Sequence, residues 1–152
     1  MELPLFEEVG DVLRGLLPNE LTGDMHCRAH KYGIKVWFGA PDKAGKEHYE
    51  AQVVSRHAVE GARVLGLEVG FHSEHRTAPE NEAVIARLVA AEKKWRKVVG
   101  PEAVVGPFLG KADTWRRISE TWPDPDLSDP DLPMELGSRL ADYVTALEPL
   151  RR

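Results

Sequence analysis

Six histidines, His26, His30, His48, His57, His72 and His75, fall in the first half of the 152-residue chain. Two of them raise the question of chemistry directly. In the stretch GFHSEHR, residues 70–76, one residue separates His72 from Glu74. On a strand that spacing turns both side chains to the same face, where an imidazole and a carboxylate offer two ligands to a single divalent metal ion. Glu50, with either His48 or His26, would supply the rest, so the candidate metal ligands are His72, Glu74, Glu50 and His48. Glu50, Gln52 and Glu74 are the candidates for catalytic work. No HExxH or paired CxxC motif accompanies them. Ordinary strand and loop histidines account for the same residues unless the fold brings these side chains together.

The hairpin expected just upstream is the element that must do so. Residues 48–54, HYEAQVV, alternate Tyr49, Ala51 and Val53 with His48, Glu50 and Gln52, the period of a strand with two unlike faces. Tyr32, Ile34, Val36 and Phe38 alternate in the same way, and PDKAGK between the two runs has turn chemistry. The acidic first helix, this strand pair carrying YEAQ, then a helix and a strand resemble the restriction-endonuclease-like nucleases. There, a strand acid and an E-x-K motif hold Mg²⁺ and orient water. The resemblance implies Glu50 in the place of the Glu and Gln52 in that of the Lys, with Asp42 or Glu8 as further acids. It covers about a third of the chain. Gln52 lacks the lysine charge, and Asp42 sits in the predicted turn instead of on a strand.

Stepping outward, Leu5, Phe6, Val9, Leu13, Leu16 and Leu17 form one helical stripe that Pro18 ends. Residues 55–66 carry a helical face, Ala58, Val59, Ala62 and Leu65, with Ser55 as cap and Gly66 as stop, although the end of the run also reads as a strand. A short helix is the expected form. In LEVGF, Leu67, Val69 and Phe71 point inward, with Glu68 and His72 outward. One long amphipathic helix is predicted from Pro79 to Val99, opened by a Thr77/Glu80 capping box. AVVGPFLGK reads as a short or edge strand, DTWRRISETW as helix or strand, and PDPDLSDPDLP as a connector. Leu136, Leu140, Tyr143, Val144 and Leu147 mark a closing helix stopped by Pro149. Together these predict an α+β fold: one globular domain over residues 1–152, with a small mixed or mainly antiparallel sheet that starts with a β-hairpin. The sheet packs against a long amphipathic helix plus N- and C-terminal helices.

Composition narrows the function classes. The chain is 42% hydrophobic and 30% charged, and no segment approaches the roughly 18 apolar residues of a membrane span. The acidic start lacks signal-peptide character, and a lone cysteine, Cys27, suits a reducing cytoplasm, while sparse Ile, Asn and Gln beside abundant Ala, Arg, Val and Gly point to a GC-rich bacterial host. A net charge of −5 opposes broad nucleic-acid binding. The run EKKWRK and the later WRR set cations around tryptophans, but Trp95 belongs to the apolar stripe and the cations suit a helix C-terminus. The aspartates at 124, 126, 129 and 131 lack the glycine and the closing glutamate of an EF-hand loop and read as turn formers, with Asp131 capping the last helix. No nucleophile or phosphate-loop signature is present. The expected function is a non-catalytic domain that binds a small ligand or a protein partner, with a homodimer as its assembly. The alternative is a metal-dependent hydrolase or nuclease using Glu50, His72 and Glu74 with a divalent ion as cofactor.

Overall fold

The computed structural model describes residues 4–40 and 45–152. Among the described residues, alternating apolar runs form six strands: β1 (Met25–His30), β2 (Gly33–Phe38), β3 (Glu47–Ser55), β4 (Leu65–Ser73), β5 (Val104–Pro107) and β6 (Arg116–Pro123). They make one antiparallel sheet in the order β1-β2-β3-β4-β6-β5. The helices are α1 (Leu5–Leu16), the short α2 (Asn19–Thr22), α3 (Ala78–Val89), α4 (Glu92–Val99) and α5 (Leu132–Arg151). The expected α+β architecture is therefore present, with a sheet that is antiparallel throughout. Among the described residues, no helix is long and apolar enough to cross a membrane.

Strand alternation splits the sheet into two chemically different faces. Ile34, Val36, Tyr49, Ala51, Leu67, Val69, Phe71 and Ile118 point to one face and are buried against α1, α5 and the α3–α4 pair. Burial of a Leu- or Phe-sized side chain is worth about 1.5–3 kcal/mol, so this face drives folding. The other face carries Trp37, His48, Glu50, Gln52, Glu68, His72, Arg117 and Ser119, and it is here that the polar groups meet.

Several elements differ from expectation, each for an identifiable physical reason. The first strand-like region is two strands, because the chain reverses at Lys31-Tyr32 and pairs His30 with Gly33. Asn19–Thr22, just beyond Pro18, forms the short α2. The helix expected over 55–66 is only a 3-10 turn at Arg56–Ala58, which Ser55 caps by accepting from the His57 N–H. Gly66 belongs to β4, where Val59 packs so closely that a Cβ would meet the Val59 Cβ at 3.0 Å. Residues 113–122, left open between helix and strand, contribute β6, because pairing with both β4 and β5 outweighs local helical spacing.

The predicted long helix from Pro79 to Val99 is broken at Ala90-Ala91 into α3 and α4. The buried Trp95 indole donates to Leu88 O at 2.9 Å, satisfying a carbonyl at the break. Thr77 caps α3 by accepting from the Glu80 N–H, and the Glu80 carboxylate answers by accepting from the Thr77 hydroxyl instead of from the Thr77 N–H that a capping box uses. Pro149 does not stop α5, which runs on to Arg151, and Asp131 precedes α5 without a side-chain capping bond. The turn at 41–44, including Asp42, lies outside the described residues.

Asp124, in the connector, has φ 48° and accepts backbone N–H groups from Arg63, Val64 and Leu65 at 2.7–3.3 Å. These bonds, from Val64 and Arg63 first, hold its carboxyl below the ordinary value of 3.8. A depressed pKa means stabilisation that is present above the unfolded value and lost as pH falls through the folded one. Asp124→Asn should therefore lower Tm near neutral pH. The gap from wild type should close as pH falls below 3.8, and a gap that is constant down to about pH 3 would refute the charge as its cause.

Candidate metal centre

The polar face is ordered in rows by strand register. His48 of β3 lies opposite His72 of β4, which lies opposite Arg117 of β6. The next row runs Lys35, Glu50, Gly70, Ser119, and the one after it Gly33, Gln52, Glu68, Thr121. His48 and Glu50 are two residues apart on β3, as His72 and Glu74 are along β4 and just beyond it. Antiparallel pairing thus brings two His-x-Glu units side by side.

The donor atoms converge. His48 Nε2 lies 3.1 Å from Glu50 Oε1 and 3.4 Å from Glu74 Oε2, and His72 Nδ1 lies 3.2 and 3.3 Å from the same two oxygens. All four atoms fall within 4.8 Å of one another. A tetrahedral shell with metal–ligand bonds of about 2.0–2.2 Å has edges of about 3.3–3.6 Å, close to the four separations found. The side chains are 2%, 7%, 0% and 13% exposed for His48, Glu50, His72 and Glu74. The two His-x-Glu units supply all four of the metal ligands expected from the sequence.

The outer nitrogens are also engaged. His48 Nδ1 sits 3.0 Å from Gly45 O, and His72 Nε2 sits 2.9 Å from Glu68 Oε2. Glu68 in turn accepts from Ser119 Oγ at 2.7 Å and from Gln52 Nε2 at 2.9 Å, while Arg117 donates to Ser119 Oγ at 2.8 Å. This is the arrangement by which outer carboxylates and carbonyls orient metal-binding imidazoles. Glu68 and His72 can meet although they are four residues apart on a strand, because only Gly70 separates them on that face. With no side chain between, they lean together.

At Glu50, Glu68 and His72 burial opposes charge, and neighbouring charges and hydrogen bonds override it. Desolvation alone would raise the Glu50 carboxyl, but His48 and His72 hold it down to about 2. Glu68 is likewise held low against burial by the His72 charge and by its hydrogen bonds. Burial would depress His72, yet the Glu68 charge, reinforced by Glu50 and Glu74, raises it well above the usual histidine value. In the ion-free protein an imidazolium thus compensates the carboxylates. That solution leaves a defect: the fully buried His72 Nδ1 makes no hydrogen bond, its two carboxylate neighbours being within reach in distance but not in direction.

The remaining candidates separate from the cluster. Gln52 reaches Glu68 instead of the donor centre. Glu8 is on α1, which packs on the apolar face. His26 bonds Gly39 O from β1, and His75 pairs with Glu47 in the turn before α3. Asn81 pins that turn by accepting from Ser73 Oγ and the His75 N–H while donating to the carbonyls of His75, Thr77 and Thr114. Trp95 is core, and the cations around it flank α4. Glu68 and His72, expected outward and wet, do face outward from the apolar core but are fully buried. Sequence reasoning passed over Glu68, Ser119 and Arg117. A visible signal for Glu68 was the glycine between two polar residues of one strand face, E-x-G-x-H. No protein family, no curated protein and no solved structure matches the chain.

Proposed function

We propose that this protein binds one divalent first-row transition ion, Zn²⁺ foremost, through His48 Nε2, Glu50, His72 Nδ1 and Glu74. One observation carries the reading. Each of the two buried imidazoles has its outer nitrogen against an oxygen and its inner nitrogen within 3.1–3.4 Å of both the Glu50 and Glu74 carboxylates. Without an ion, the inner nitrogen of His72 is buried with no hydrogen-bond partner. With an ion, each keeps the single outer proton already placed by Gly45 O or Glu68. Charge agrees: Glu50, Glu68 and Glu74 balance a divalent ion together with Arg117, with both imidazoles neutral. Two nitrogen donors among four favour Zn²⁺ and its neighbours over Mg²⁺ and Ca²⁺, which prefer an all-oxygen shell. The expected binding-domain role is kept in this reading, with the ion as first ligand, and the lone Cys27 suits a reducing cytoplasmic setting.

Titration of metal-stripped protein tests this. Zn²⁺ at a hundredfold excess over Kd should stabilise the fold by about 2.7 kcal/mol, a Tm rise of about 5–10 °C, with one ion per chain by elemental analysis. Mg²⁺ should give no comparable shift. Equal melting curves with and without Zn²⁺, together with no retained ion, would sink the proposal.

A further inference from the structure

We infer that Glu74 is the displaceable member of the set, and that the centre it uncovers hydrolyses a small acyl ester. The inference rests on the metal-binding reading above. It starts from a contrast among the four donors. His48, Glu50 and His72 project from the interior of paired strands, whereas Glu74 follows Ser73, the last residue of β4. Its side chain is the most exposed of the four, at 13%. Its backbone is secured independently of the side chain: the Glu74 N–H donates to Lys46 O at 2.7 Å, and Asn81 ties down the residues on both sides. The carboxylate can swing away while the chain stays in place.

An ion here has little structural work to do. β3 and β4 already pair from Glu47↔Ser73 to Ser55↔Leu65 along their whole length, and the apolar face supplies a continuous core. A clip between strands already joined adds little to the fold, yet five titratable groups are kept desolvated around His72. The unpartnered, fully buried His72 Nδ1 aims at the same point. The concentration of charge and the orphaned donor both point to chemistry at this position.

With Glu74 off the ion, His48, Glu50 and His72 make a two-His, one-carboxylate shell with an open position, and the ion supplies acidification of a water there. Glu74 takes one proton from that water. The water oxygen bonds to the acyl carbon, the bond from that carbon to the leaving alkoxide breaks, and Glu74 returns the proton to the leaving oxygen. The acid product gives its own proton to solvent, so atoms and charge balance. The ring of Phe108 lies 5.2 Å from that of His72, with Trp115 5.0 Å beyond, and both aromatics are half-buried. They offer an apolar rest for an uncharged, ring-bearing ester.

The test compares wild type, Glu74→Gln and Glu50→Gln, each loaded with Co²⁺ or Zn²⁺. Glu74→Gln should hold Co²⁺ within about tenfold of wild type, while Glu50→Gln should weaken it by more than about a hundredfold. Azide should change the visible Co²⁺ spectrum of wild type by entering the open position. Zn²⁺-loaded wild type should hydrolyse 4-nitrophenyl acetate at least about a hundredfold faster than Zn²⁺-loaded Glu74→Gln. Equal loss of ion in both variants, an azide-insensitive spectrum, or equal hydrolysis by wild type and Glu74→Gln would each overturn the role of Glu74 and leave metal binding standing. If wild type takes up neither ion, both readings fall.

Discussion

His72→Ala should abolish stoichiometric ion uptake and also weaken the ion-free fold. The ring supplies one donor and is the group through which Glu68, Ser119 and Arg117 act on the centre. Altering an outer partner of a metal ligand costs about 10–100-fold in affinity, so removing the ligand itself should cost more than about a hundredfold. Glu68→Gln supplies the graded comparison. It keeps the shape but removes the negative charge behind the His72 ring and turns into an amide a carboxylate whose Oε2 meets both His72 and Ser119 and whose Oε1 accepts from Gln52, so its loss should fall within the band of about 10–100-fold. In the ion-free protein, His72→Ala leaves Glu50, Glu68 and Glu74 without their buried positive partner. Breaking such a pair costs about 3–5 kcal/mol, or roughly 6–20 °C in Tm for a chain of this size. Isothermal titration with Zn²⁺ and melting of the stripped protein measure the two effects separately. Unchanged Zn²⁺ affinity in His72→Ala would remove the centre from consideration.

Gly70→Ala should be the most destabilising single-methyl change in the sheet. Gly70 has φ 154°, in a region that L side chains rarely adopt, and a Cβ there would strike the Ile118 carbonyl oxygen and approach Ser119 Cα to 2.6 Å. Those obstacles belong to the backbone of β6 and cannot rotate away. Backbone strain of about 1–3 kcal/mol adds to overpacking of similar size, so a loss of at least about 3 kcal/mol, some 6–12 °C in Tm, is expected. The same methyl group would press on Ser119, whose Oγ donates to Glu68 behind the His72 ring, so Zn²⁺ affinity should fall as well. Gly15→Ala is the control: no atom lies within 4 Å of a Cβ there, and in a helix the change should stabilise by about 0.5–1 kcal/mol. Equal melting temperatures for the two variants would show that the close approach at Gly70 does not constrain the fold.

Legibility in the sequence followed the range of the forces involved. The alternation in β2, β3 and β4 was readable because a period of two is set by the chain itself, and it placed Glu50 with Gln52 and His72 with Glu74 on common faces. The Thr77 cap and the buried stripe of α5 were readable for the same reason. Residues 55–66 and 116–123 were not. Their helical spacing is real, but Ser55, Leu65 and Gly66 join the β3–β4 ladder, and Arg116–Pro123 fills the place between β4 and β5. Those decisions belong to residues remote in sequence. The break between α3 and α4 likewise involves Trp95 reaching back to Leu88, a bond that periodicity does not encode.

The sequence by itself determined which residues share a strand face and that two His-x-Glu pairs exist, because both follow from local backbone geometry. Only the tertiary structure decided that these pairs lie opposite each other, since the His48↔His72 register depends on the whole β3–β4 ladder. It also decided that the cluster is dry. Strand alternation says which way His72 and Glu68 point, whereas their burial is a matter of packing, with the Phe108 ring beside His72 and with Ser119 and Gln52 against the Glu68 carboxylate. Desolvation of groups that point away from the apolar core is what turns a polar strand end into a candidate metal centre. That desolvation is a property of packing, to which no short stretch of sequence has access.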